Sequence, residues 1–177
     1  TLTVGGVGDT FTSTTLAAPP PPGTGQTQSY TGGAVTILDY QPGSPYPSSV
    51  NVSNLGGTIA KVTVRLVGLS HTYADDLDIA LVGPGGQAVM LMSDAGGSGG
   101  MSGVSLTFDA SAAVAVPYNA QISSGVFRPA NYGATADPFA TPAPGGTYGT
   151  SLDAFNGLAP NGTWRLYVVD DGNADVG

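Results

Sequence analysis

The chain has 177 residues, the span of one domain with one hydrophobic core, and is 41% apolar against 9% charged, a balance that excludes a charge-rich disordered chain. Its formal net charge of −8 leaves Lys61, Arg65, Arg128 and Arg165 as the cations, too few and too scattered for the phosphate-neutralising footprint of a nucleic-acid binder. With 28 Gly and 14 Pro, which cost about 1 and about 3 kcal/mol each inside a helix, long helices are excluded and an all-β domain is expected.

Residues 1–33 are rich in Thr, Gly, Pro and Ala, with Pro19 to Pro22 uninterrupted, and read as a semi-rigid extended linker or N-terminal extension. The folded domain is expected over 34–177. Short apolar alternations between turn signals predict strands at Val35–Leu38, Ser49–Val52, Ile59–Leu69, Leu77–Val82, Ala88–Met92, Val104–Phe108, Val114–Val116, Ile122–Phe127 and Thr163–Val169. Val62, Val64 and Leu66 oppose Thr63, Arg65 and Val67; Trp164, Leu166 and Val168 oppose Arg165, Tyr167 and Val169. Period two without a sustained helical period argues for an antiparallel two-sheet sandwich of the jelly-roll or Greek-key kind. Gly83 to Gly86 interrupts two apolar runs of similar length, so Leu77 to Met92 reads as a hairpin. Its outer ends then meet, placing Asp75, Asp76 and Asp78 near Asp94 at one rim. The stretch Pro129 to Thr150 reads as a long ordered excursion without identifiable chemistry, and Asp171 to Gly177 as an open loop, so the domain is expected to lack its last strand.

All twelve acids are Asp, a short carboxylate that suits turns and hard cations, and calcium is the first partner to consider. Asp171, Asn173 and Asp175 occupy alternate loop positions beside Asp170, where oxygen ligands can converge on one ion. This is not an EF-hand, because Val176 stands where that motif needs Gly. The rim of Asp75, Asp76, Asp78 and Asp94 is a second cluster whose mutual repulsion a cation or protons would relieve. The competing reading is solvated turn residues accepting backbone hydrogen bonds.

Catalysis has little to build on. His71 is the single histidine and Cys and Glu are absent, which excludes a thiol nucleophile, a thiolate metal site and a disulfide framework without excluding an extracellular location. Gly96, Ser98 and Gly100 match the nucleophile-elbow spacing, but within a Gly/Ser tract rather than between a strand and a helix. His71 reads as a structural hydrogen-bonding residue, and Trp164 as a core residue. No run approaches the roughly 18 apolar residues of a membrane span. Residues 1–30 lack the basic start and apolar middle of a signal peptide, so an excised domain of a longer protein is expected.

Two stretches carry a family resemblance. Val62 to Gly86 has a strand, a His71-Thr72 turn, an Asp76-Leu77-Asp78 strand start and a Pro84-Gly85 hairpin; Phe155 to Gly177 has Asn161-Gly162-Thr163-Trp164 followed by an acidic Gly loop. Together they resemble the P domain, also called the Homo B domain, of proprotein convertases in its bacterial form. The resemblance implies a jelly-roll, galactose-binding-domain-like sandwich that is not itself an enzyme and assists a neighbouring subtilisin-like serine endopeptidase domain, or belongs to a large secreted or cell-surface protein. The adjacent domain of the same chain is then the expected partner. The other reading is an adhesion or carbohydrate-binding module, with Tyr73, Tyr118, Tyr132, Tyr148, Tyr167 and Trp164 as candidate stacking residues.

Overall fold

The computed structural model describes residues 2–7, 25–133, 137, 139–175 and 177. Its strands in chain order are β1 (Leu2–Val7), β2 (Gly25–Tyr30), β3 (Ser48–Val52), β4 (Thr58–His71), β5 (Leu77–Val82), β6 (Ala88–Ser93), β7 (Met101–Asp109), β8 (Gly125–Phe127), β9 (Ala130–Asn131) and β10 (Gly162–Asp170). They form two sheets, β2-β1-β4-β7-β8 and β3-β10-β5-β6-β9. The long strands pair antiparallel, as the hairpin and alternation patterns require. The short edge strands β8 and β9 lie parallel to β7 and β6.

Side chains from both sheets interdigitate in one core. Val62, Val64, Leu106 and Phe108 come from the first sheet, and Leu77, Ile79, Leu81, Leu91, Trp164 and Val168 from the second. Burying each such side chain contributes roughly 1.5–3 kcal/mol, so the alternating residues set which face of each strand turns inward. β4 keeps Ile59 and Val62 both inward by a register shift opposite Gly5 and Gly6 that leaves Ala60 as the extra residue. Trp164 is buried, stacks edge-on against Phe155 at 4.9 Å and donates its indole N–H to Pro160 O at 2.9 Å, a core position as its alternation predicts.

β5 departs from simple alternation, since all six of its residues are buried. Leu77, Ile79 and Leu81 face the core between the sheets. Val82, on the opposite face, packs with Tyr167, Ala143, Phe139, Tyr46 and Ala88 in a second cluster. The excursion after Pro129 therefore covers the outer face of the second sheet, and Asp78 lies on that covered face.

Several expectations are corrected. Leu2–Val7 and Gly25–Tyr30, read as linker, are strands on the edge of the first sheet; the Thr and Val content of β1 suffices for pairing once β4 offers an edge. Pro19 to Pro22 lie outside the described residues. Val35–Leu38 forms only the Thr36–Ser44 bridge, because Pro42, Pro45 and Pro47 lack the N–H donors that a longer ladder needs. Val114–Val116 is likewise reduced to the Ala115–Arg128 bridge, and Ile122–Phe127 to its last three residues. Among the described residues no helix is long and apolar enough to cross a membrane.

Candidate metal centre

β5 pairs antiparallel with β10 on one side and β6 on the other. The start of β5 therefore meets the ends of both neighbours. A single turn of 3-10 helix, Ala74–Asp76, delivers the chain into β5, so Asp75, Asp76 and Asp78 share one rim with Asp94, just past β6, and with Asp170 and Asp171 at the end of β10. The hairpin argument anticipates the first of these meetings.

Asp78, Asp94 and Asp137 each bring a carboxylate oxygen within 4.8 Å of the other two. Asp78 is 2% exposed, and its Oδ2 is buried without a hydrogen-bond partner. Ser93 Oγ lies 3.0 Å from Asp94 Oδ2 and 2.9 Å from Asp137 Oδ1. One hydroxyl proton cannot serve both carboxylates at once, so the second oxygen pair needs a further proton or a cation. Asn131 Nδ2 donates to Asp137 Oδ2 at 2.7 Å, while its own Oδ1 is buried and unpartnered. Asp94 has φ 50, a left-handed conformation that Asp tolerates better than most residues. Gly133 sits so close to the Asp94 carboxylate that a Cβ there would collide with it.

Electrostatics agree with the geometry. Burial pushes Asp78 up to about 8; the Ser93 hydroxyl opposes the shift, and the charges of Asp137, Asp171 and Asp94 add to it. Asp76 is pushed up to about 6, by burial first and then by Asp175, Asp170 and Asp171, with His71 acting against them. Desolvation and then Asp94 raise Asp75, whose Oδ1 is also buried without a partner. Asp171 is raised by desolvation, then by Asp94, Asp137 and Asp170. Protons or a divalent cation would relieve this crowding, and hard carboxylate oxygens are ligands that such a cation accepts.

The remaining candidates have other contacts. Asp170 is buried against His71, Oδ2 to Nε2 at 2.9 Å, and its Oδ1 accepts from the Gly172 N–H at 3.1 Å. His71 Nδ1 meets Tyr73 O at 2.7 Å, so both ring nitrogens are engaged inside the protein. Asp175 accepts from the Thr72 hydroxyl at 2.8 Å, and the Ala174 N–H donates to Asp39 at 2.9 Å. Asn173 is exposed. The carboxylate of Asp76 leaves no room for a Cβ at Gly172, which binds the 170–175 loop closely to the 3-10 turn.

Asp137, Asn131 and Ser93 are the members that the sequence reading misses. The excursion brings Asp137 to this cluster, and β9 runs parallel to β6, with Ser93 opposite Asn131. A two-residue strand has no periodic signature, and an isolated Asp in an Ala/Pro/Thr-rich stretch looks like any turn residue. Ser98 lies in a turn after β6 with no helix following it. Of the candidate stacking residues, Trp164 and Tyr167 are buried, whereas Tyr118 is half exposed. No family model, no curated protein and no solved structure matches the chain.

Proposed function

We propose that this chain is a non-catalytic, calcium-stabilised β-sandwich module of the P-domain type, secreted or at a cell surface, accessory to a subtilisin-like serine endopeptidase or to a large extracellular protein. The observation that carries the calcium reading is the buried Asp78 carboxylate, with an unpartnered oxygen, at the meeting point of three carboxylates. Calcium is taken over magnesium because the three carboxylates come from separate segments, and calcium accepts six to eight oxygens in flexible geometry while magnesium demands a near-ideal octahedron. Extracellular calcium modules work at about 0.1–1 mM, a concentration met outside cells. The P-domain reading is supported by the two resembling stretches, which meet in space as the β5–β10 pair, the start of β5 beside the end of β10 at the acidic rim. The non-catalytic reading is supported by the single imidazole, sealed between Asp170 and Tyr73 O.

A thermal melt of the protein in EDTA, in calcium and in magnesium tests the metal assignment. At about 100 times the dissociation constant, one site adds about 2.7 kcal/mol, or roughly 5–10 °C for a domain of this size. An equal shift with magnesium would indicate charge screening instead, and no shift with either would remove the metal. The reading frame encoding the chain tests the accessory role: a subtilisin-type Asp, His and Ser set supports it, and tandem β-domains favour adhesion.

A further inference from the structure

We propose that the cation at Asp78, Asp94 and Asp137 is a clasp that fastens the excursion carrying Asn131 and Asp137 over the outer face of the second sheet, so that calcium governs exposure of the apolar surface around Tyr167 and Val82. This rests on the calcium reading above. The three carboxylates come from three different pieces of chain: β5, the turn after β6, and the excursion. Asp78 stands on a central strand held on both sides, whereas Asp137 rides on a connecting segment. Repulsion within the triad is therefore relieved most readily by moving Asp137 away.

The same excursion places Phe139 and Ala143 on Tyr46, Tyr167, Val82 and Ala88. Among the described residues its polar anchors there are Tyr46 Oη, which donates to Ala140 O at 3.0 Å, Tyr167 Oη, which donates to Pro142 O at 3.1 Å, and the Met90 N–H, which donates to Gly149 O at 2.9 Å. At the rim end the chain is held through Tyr132 by β9, which pairs with β6, and beyond it Asp137 is bonded to Ser93 and Asn131. Asp78 Oδ2 and Asn131 Oδ1 are both buried without a partner; Asp78 stands on the central strand β5 and Asn131 on the edge strand β9, whose amide holds Asp137. An ion accepting both sheet and excursion oxygens closes the joint. Losing the ion leaves Tyr167 and Val82, 1% and 2% exposed, under a cover without its tie at Asp137.

The test is hydrogen–deuterium exchange of the whole chain in EDTA and in about 5 mM calcium, with calorimetric titration of calcium in parallel. Calcium is expected to slow amide exchange in peptides covering residues 139–149 by about tenfold or more while leaving β7 unchanged. Asp137→Asn is expected to lose that protection, and Asn131→Ala, a milder change outside the carboxylate triad, to weaken it. If calorimetry records binding but residues 139–149 exchange equally with and without calcium, the clasp is wrong and the structural calcium site stands. If calorimetry records no binding, the calcium reading falls and the clasp falls with it.

Discussion

The Ser93 hydroxyl donates to Asp137 Oδ1 at 2.9 Å across 44 residues of sequence, joining the end of a sheet strand to a carboxylate in the segment that covers that sheet. Because the same hydroxyl also faces Asp94, this contact marks where the carboxylates crowd. It makes the centre depend on tertiary packing rather than on a loop motif.

The metal-free protein is expected to lose stability as pH rises. Burial, with neighbouring carboxylates, pushes Asp78 up to about 8 and Asp76 up to about 6 in the folded state, above the ordinary Asp value of about 3.9. Groups with raised folded values contribute stability that is fully present below the unfolded value and is lost as pH climbs through the folded one. Melting temperature in EDTA should therefore fall between about pH 5 and 8.5, while saturating calcium, which holds the carboxylates ionised, should flatten the profile. Parallel profiles with and without calcium would argue against a site at these residues.

Asp78→Asn separates charge from shape. The amide keeps the volume and removes the buried charge, so at about pH 8.5 in EDTA the variant should be more stable than the parent by about 1–3 kcal/mol, the scale of one desolvated polar group. In calcium it should be less stable than the parent, having lost the ion. Denaturant melts under the two conditions read this reversal of sign.

Gly133→Ala probes the approach of the excursion to Asp94. The added Cβ meets the Asp94 carboxylate, whereas at Gly145 a Cβ meets nothing within 4 Å. Calcium affinity measured by calorimetry should drop about tenfold or more in Gly133→Ala, since ligand misplacement of this kind costs at least about 1.4 kcal/mol. Gly145→Ala should bind as the parent does.

The His71–Asp170 pair is expected to be structural. Both side chains are fully buried at 2.9 Å, and His71→Ala leaves a buried carboxylate without its partner, a change that costs about 3–5 kcal/mol. Substituting the exposed Val67, 64% accessible, by Ala should stay within about 0.5 kcal/mol. Equal effects in urea denaturation would contradict the assignment.

The core offers a matched comparison. Trp164→Ala empties a site filled against Phe155 and Gly83 and should cost about 3–5 kcal/mol, the range for truncating a large buried aromatic. Calcium affinity, read by calorimetry at a temperature where the variant remains folded, should be retained, because Trp164 lies on the core face of β10 and outside the acidic rim.

Local order was legible in the sequence wherever one strand carried its own period. Trp164, Leu166 and Val168, the β5–β6 hairpin, and the rim uniting Asp75, Asp76 and Asp78 with Asp94 all follow from alternation and turn residues, because side chains of period two sort themselves between core and surface without reference to distant chain. The buried outer face of β5 was not legible. Asp78, Ala80 and Val82 look like a solvent face until Phe139 and Ala143 are laid over it. The third carboxylate was beyond reach for the same reason, since Asp137 joins Asp78 and Asp94 through an excursion with no periodic signal. Composition and periodicity determined an acidic, two-sheet β protein; only the tertiary structure decided which carboxylates come together, because their convergence depends on how separate segments pack over one sheet.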